Sequence, residues 1–116
     1  MNYIISGIVI RGDGYGRKIG FPTVNLEYEE KNIPPDGVYG GTAELNGKEY
    51  KAGIVIGPKE NNQQKVEAHL VGFSEDAYGK EVVLKIGKFI REYKKFDTEK
   101  ELIKQIEKDL KKCSQA

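Results

Sequence analysis

The 116 residues carry 19 basic and 18 acidic side chains, a formal net charge of +1, so no overall field draws the protein to nucleic acid or to an anionic membrane, and any anion site must be local. The length suits one compact domain over residues 1–116, and a hydrophobic content of 38% with seven Tyr and four Phe supplies a core. A single cysteine, Cys113, excludes an internal disulfide and a multi-cysteine zinc site, and no apolar run approaches the ~18 residues that span a bilayer. The expectation is a monomeric, soluble cytoplasmic protein without a nucleic-acid or membrane partner.

The first predicted element is a strand over Tyr3 to Ile10, rich in β-branched and aromatic residues. A glycine-rich loop follows from Gly12 to Gly20, then an extended segment in which Thr23 and Asn25 share one face and Val24 takes the other. A polar loop with two prolines, Tyr28 to Asp36, leads to strands over Gly37 to Leu45 and Glu49 to Ile56. Asn46-Gly47 between them supplies the positive φ angles of a tight hairpin turn, so these two strands should pair antiparallel. Gly57 to Gln64, rich in Asn and Gln, reads as a mobile polar loop, with strands expected from Lys65 to Phe73 and from Glu81 to Ile90. The period then changes. Leu102, Ile103, Ile106 and Leu110 recur at helical spacing, Thr98 and Glu101 form a capping box, and Lys108, Lys111 and Lys112 suit a helix C-terminus. Five or six strands at barrel-like spacing and one amphipathic helix make the fold class mainly β.

Chemistry concentrates first in Gly12-Asp13-Gly14-Tyr15-Gly16-Arg17-Lys18-Ile19-Gly20-Phe21-Pro22-Thr23-Val24-Asn25. Close glycines free backbone N–H groups to face an anion, and Arg17 and Lys18 add charge beside them. The spacing matches neither the P-loop nor the dinucleotide fingerprint, and a plain structural turn is the competing reading. Thr23 and Asn25 offer a hydroxyl and an amide oxygen suited to a hard cation such as Mg²⁺, or else satisfy local backbone groups. Glu67 and His69 share one strand face; taken alone, Glu67 reads as a solvated carboxylate and His69 as a structural histidine.

Gly12 through Asn25 resembles the signature of the riboflavin kinase family, in which a glycine-rich basic flap leads into Gly-Phe-Pro-Thr-x-Asn. The resemblance continues in order through Pro35-Asp36-Gly37-Val38-Tyr39, Val66-Glu67-Ala68-His69-Leu70, Tyr78-Gly79-Lys80, Ile90-Arg91 and Lys94-Lys95-Phe96, and ends in the helix containing Asp109. It implies a six-stranded antiparallel Greek-key β-barrel with a C-terminal α-helix. It also implies a kinase that moves the γ-phosphate of a nucleoside triphosphate, ATP as co-substrate, onto the 5′-hydroxyl of riboflavin, giving FMN and ADP.

By the same resemblance Glu67 is the catalytic carboxylate, and Thr23 and Asn25 hold Mg²⁺. Gly12, Gly14, Gly16, Arg17, Lys18, Leu70, Gly72 and Tyr78 face the nucleotide, and Arg91, Lys94 and Phe96 contact the flavin. Two features depart from the family. The Pro-Thr-Phe element is missing from Gly53 to Asn62, where Val55 replaces a common Asn, and Tyr15 stands where an Arg is frequent. In many bacteria a nucleotidyltransferase domain precedes this one; Met1 stands two residues before the first strand, and a stand-alone protein and an excised domain both remain open. The competing functions are a flavin-binding module of the same fold with weak or no kinase activity, and a small barrel that binds single-stranded nucleic acid.

Overall fold

The structure, a computed structural model, describes residues 3–11, 20–21, 23–29, 31–60, 63–73, 75–96 and 98–115. Among these residues six strands and one helix occur in the order β1 (Tyr3–Ile10), β2 (Val24–Tyr28), β3 (Gly37–Leu45), β4 (Lys48–Glu60), β5 (Gln63–Leu70), β6 (Glu81–Arg91) and α1 (Glu99–Gln115). The strands close into an antiparallel barrel in the spatial order β1-β2-β5-β4-β3-β6. Three consecutive hairpin-connected strands, β3 to β5, with β6 returning beside β3, make the Greek key expected from the sequence.

Alternation decides which face each residue takes. Val66, Ala68 and Leu70 of β5, Ile54 and Ile56 of β4, and Leu84 and Ile86 of β6 point into the barrel and are almost wholly buried. Each fully buried Ile or Leu contributes about 1.5–3 kcal/mol by leaving water. The β3–β4 hairpin turns at Asn46 (φ 55°) and Gly47 (φ 76°), the two positive angles that Asn-Gly was expected to supply. Gly41 is needed for a different reason: a β-carbon there would collide with the Lys85 carbonyl oxygen and sit 3.1 Å from Ile54 Cδ1, so only glycine lets β3 approach β6 this closely.

Three elements differ from the sequence reading. Val24 and Asn25 open a full strand, β2, with Thr23 immediately before it. Much of the polar Gly57–Gln64 stretch is hairpin: pairing of β4 with β5 continues to Lys59↔Gln64 and Glu60↔Gln63 after an irregularity following Ile56↔Val66. Pro58 lies at that irregularity, where a residue without an N–H costs no ladder bond. Strand β5 ends at Leu70 rather than Phe73, because Gly72 at φ +85° turns the chain and the Phe73 N–H donates to the Leu70 carbonyl (3.3 Å).

The segment before β3 is stitched to this hairpin. Gln64 Nε2 donates to the Pro34 carbonyl (3.1 Å) and to Asp36 Oδ1 (2.9 Å), Gln63 Nε2 donates to the Tyr28 carbonyl (2.8 Å), and the Tyr28 hydroxyl donates to the Gln64 carbonyl. Burial pushes the Tyr28 phenol above its ordinary pKa, and burial, then Tyr3 and Asp36, does the same to Tyr39.

Helix α1 starts with Thr98 as its N-cap, one half of the expected capping box: Thr98 Oγ1 accepts from the Glu101 N–H at 3.2 Å, and the Thr98 carbonyl from the Leu102 N–H at 3.2 Å. It packs outside the barrel, against β3, β4 and β6. No helix among the described residues is long and apolar enough to cross a membrane.

Candidate active site

The helix does not lie flat on the barrel. Between its apolar stripe and the outer surface of the sheet runs a cleft of about 410 Å³, within the range of small-molecule sites. Leu102, Ile106 and Leu110 line it from the helix, Val38 and Val55 from the sheet, and Tyr93 and Phe96 from the segment joining β6 to α1. Its far end is polar, with Thr23, Lys65, Glu67 and His69.

Strand register explains how residues distant in sequence meet here. Asn25 pairs with Glu67, Glu67 with Val55, Val55 with Val38, and Val38 with Arg91. One row across five strands thus runs from the proposed cation ligand, past the proposed base and over two valines, to the proposed flavin contact. At about 4.8 Å per strand, Glu67 and Arg91 are roughly 14 Å apart along the sheet, so the row suits a long flat ligand with a polar reacting end.

The sequence-predicted residues divide by position. Glu67, Thr23, Arg91, Lys94 and Phe96 all line the cleft, and Asn25 stands directly across from Glu67. Arg91 is already engaged: its Nε donates to both Asp109 oxygens (3.1 Å each), its Nη2 to Oδ2 (2.9 Å) and its Nη1 to the Glu92 carbonyl (3.0 Å). Its guanidinium carbon also lies 5.5 Å from the centre of the Phe96 ring, and Lys94 Nζ lies 5.4 Å from the same ring.

Leu70, Gly72 and Tyr78 stand apart from the cleft. Leu70 is 3% exposed inside the barrel, and Gly72 occupies the turn after β5. Tyr78 is exposed, with Arg11 Cζ 4.3 Å over its ring, at the end of β1 where Ile10 pairs with Asn25. Gly12, Gly14, Gly16, Arg17 and Lys18 lie outside the described residues. His69 meets Phe21 edge-on, with ring centres 6.0 Å apart, at the polar end.

Sequence reasoning missed four participants. Asp109 is the one buried charged side chain among the described residues; it accepts from Arg91 and from Gln105 Nε2 (2.9 Å), tying helix to barrel. Lys65 Nζ lies 2.9 Å from Glu67 Oε1, Tyr93 forms part of the cleft wall, and Arg11 covers Tyr78. The Arg91–Asp109 pair joins different elements and leaves no periodic signal, whereas the spacing of Lys65 and Glu67 on one strand face would have suggested their contact. Among the described residues no group of three or more His, Cys, Asp or Glu is arranged to hold a metal. Asn25 is the register partner of Glu67 and Thr23 lines the same cleft, and their neutral oxygens with the carboxylate are a hard donor set that fits a Mg²⁺ ion taking most of its ligands from phosphate.

The family model for flavokinase, riboflavin kinase, matches residues 1–116. The chain belongs to the riboflavin kinase family. It is 43% identical over 114 residues to the bifunctional riboflavin kinase/FMN adenylyltransferase of Bacillus subtilis, covering 92% of this chain and 36% of that protein. It is 37% identical over 111 residues to the RNA-binding riboflavin kinase RibR of the same organism, covering 92% of this chain and 48% of the relative. The chain therefore spans between about a third and a half of these two curated relatives. The crystal structure of riboflavin kinase from Trypanosoma brucei superposes with a TM-score of 0.72 over 98% of this chain and 78% of that one, at 23% identity, a likeness of fold.

Proposed function

We propose that this chain transfers the γ-phosphate of a nucleoside triphosphate, ATP by preference, to the 5′-hydroxyl of riboflavin, forming FMN and a nucleoside diphosphate. The observation that carries the reading is the register row in which Asn25, Glu67 and Arg91 share one outer face, with an apolar cleft over its middle. The ribityl chain would lead from the apolar slot to Glu67, and the tricyclic ring would lie between Val38 and Val55 on one side and Leu102, Ile106 and Leu110 on the other. Membership of a riboflavin kinase family over the whole chain supports the same choice.

An alcohol is a weak nucleophile at neutral pH. Glu67 orients the hydroxyl and accepts its proton while the new O–P bond forms and the bond from the γ-phosphorus to the bridging oxygen breaks, the diphosphate leaving with that electron pair. The proton then passes to solvent, and no covalent enzyme intermediate is required. Mg²⁺, held by Thr23 and Asn25, would offset phosphate charge when bound. Arg91, occupied with Asp109, fixes the helical wall and turns its remaining donors to the ligand, while Lys94 and Phe96 close the flavin end. Gly12, Gly14, Gly16, Arg17 and Lys18 would cover the phosphates, with Leu70, Gly72 and Tyr78 shaping the nucleotide end.

We further place the protein in the cytoplasm as a monomeric single domain with no nucleic-acid or membrane partner. RNA binding, named for one relative, is set aside because the net charge of this chain is +1. The deciding experiment is mass-spectrometric detection of FMN after incubation with riboflavin, Mg²⁺ and ATP, CTP or GTP in turn, with Glu67→Ala as control. Riboflavin binding without FMN from any triphosphate would favour a flavin-binding module. Tight, salt-sensitive oligonucleotide binding without flavin binding would favour a nucleic-acid protein.

A further inference from the structure

Lys65 lies two positions before Glu67 on the same outward face of β5, and its ammonium is 2.9 Å from Glu67 Oε1. Both side chains line the cleft and both are partly sheltered, at 38% and 23% exposure. The approach has a local cause. Pairing of β4 with β5 is regular up to Ile56↔Val66 and resumes only at Lys59↔Gln64, so Gly57 and Pro58 interrupt the ladder opposite Lys65. Interruptions of this kind bend a strand and re-aim the side chains across from them. Gly57 adds room: a β-carbon there would lie 3.5 Å from Lys65 Cβ and 3.7 Å from the Tyr93 ring, so the lysine stem and the tyrosine flank a residue without a side chain.

We propose that Lys65 is a positioning residue for phosphoryl transfer, gripping one oxygen of Glu67 so that the other is presented to the acceptor hydroxyl. The inference rests on the reading of Glu67 as proton acceptor. The hydroxyl proton goes to the presented oxygen as the O–P bond forms and the diphosphate departs, and Lys65 keeps its own proton throughout. An ion pair this exposed adds little to folding stability, so its effect is read in turnover and not in melting.

The test uses the full chain and separates kcat from KM. Lys65→Met lowers kcat about tenfold through misorientation of the carboxylate, leaves KM for riboflavin and for ATP within about twofold and leaves Tm unchanged, and Lys65→Arg restores most of the loss. In a Glu67→Gln background the Lys65→Met change has no further effect, because the group it positions is already gone. Unchanged kcat in Lys65→Met overturns the proposal. So does an equal loss in both backgrounds, or a raised KM for ATP, either of which would mean that the lysine acts on phosphate directly. A wild type that binds riboflavin without producing FMN rejects the kinase reading and the catalytic sense of the pair together. A wild type that turns over beside an equally active Lys65→Met rejects the positioning role alone.

Discussion

The inner and outer faces of β5 are made by the same eight residues and meet different demands. Val66, Ala68 and Leu70 face inward at 1%, 1% and 3% exposure, and their task is to fill volume among Ile54, Ile56 and Leu84. Lys65, Glu67 and His69 face outward, at the polar end of a cleft whose apolar wall is a helix that begins only at Glu99. Inward side chains are selected by shape; outward ones are free to carry charge because the barrel is complete without them. The contrast teaches that stability and chemistry can share one strand when its period of two assigns them to opposite sides.

Substitutions on the two faces should therefore separate cleanly. The largest expected effect is on the outer face: Glu67→Ala slows FMN formation by about 10²–10⁴-fold while the urea midpoint stays near wild type. A comparable fall in stability would show that the carboxylate also supports the fold. Next comes the inner face: Ile54→Ala, at the position paired with Ala68, costs about 2–5 kcal/mol in urea unfolding, with kcat per folded molecule preserved.

Asp109→Asn tests the contact that joins barrel to helix and should do some of both. It lowers stability by about 2 kcal/mol through weakened charged hydrogen bonds and raises the riboflavin Kd, read by flavin fluorescence; loss of stability alone would separate the helix from the ligand wall. The smallest effect belongs to Tyr28. Burial raises its pKa above 10.0, so the fold favours the protonated phenol; that contribution is full below pH 10 and fades as pH rises through the raised value. Tyr28→Phe should cost about 1 kcal/mol at neutral pH and show a shallower decline of the urea midpoint with alkalinity than wild type. An unchanged slope would assign the alkaline loss to other groups.

Most of the barrel was legible in the sequence because its strands alternate and its sharpest turn is spelled Asn46-Gly47, which also fixes the β3–β4 register and so places Val38 beside Val55. The end of the β4–β5 hairpin was not legible. Lys59, Glu60, Gln63 and Gln64 pair in a ladder, yet their polar composition carries no alternation and reads as loop. At the site, Thr23 and Asn25 were legible as a same-face pair from residue spacing alone. Glu67 was singled out by family resemblance, since nothing local distinguishes a functional carboxylate on a strand from a solvated one. The bond between Arg91 and Asp109 could not be read at all: a strand end and a helix interior meet there only after both have packed.

Closure of the sheet has a consequence for how this unit travels among proteins. Among the described residues each strand is hydrogen-bonded to two neighbours, so no strand stands at an open sheet edge for another domain to extend. Sequences joined to it in longer polypeptides find no edge strand to extend, so fusion need not perturb its sheet. That portability accords with a module that makes up 36% of one relative and 48% of another.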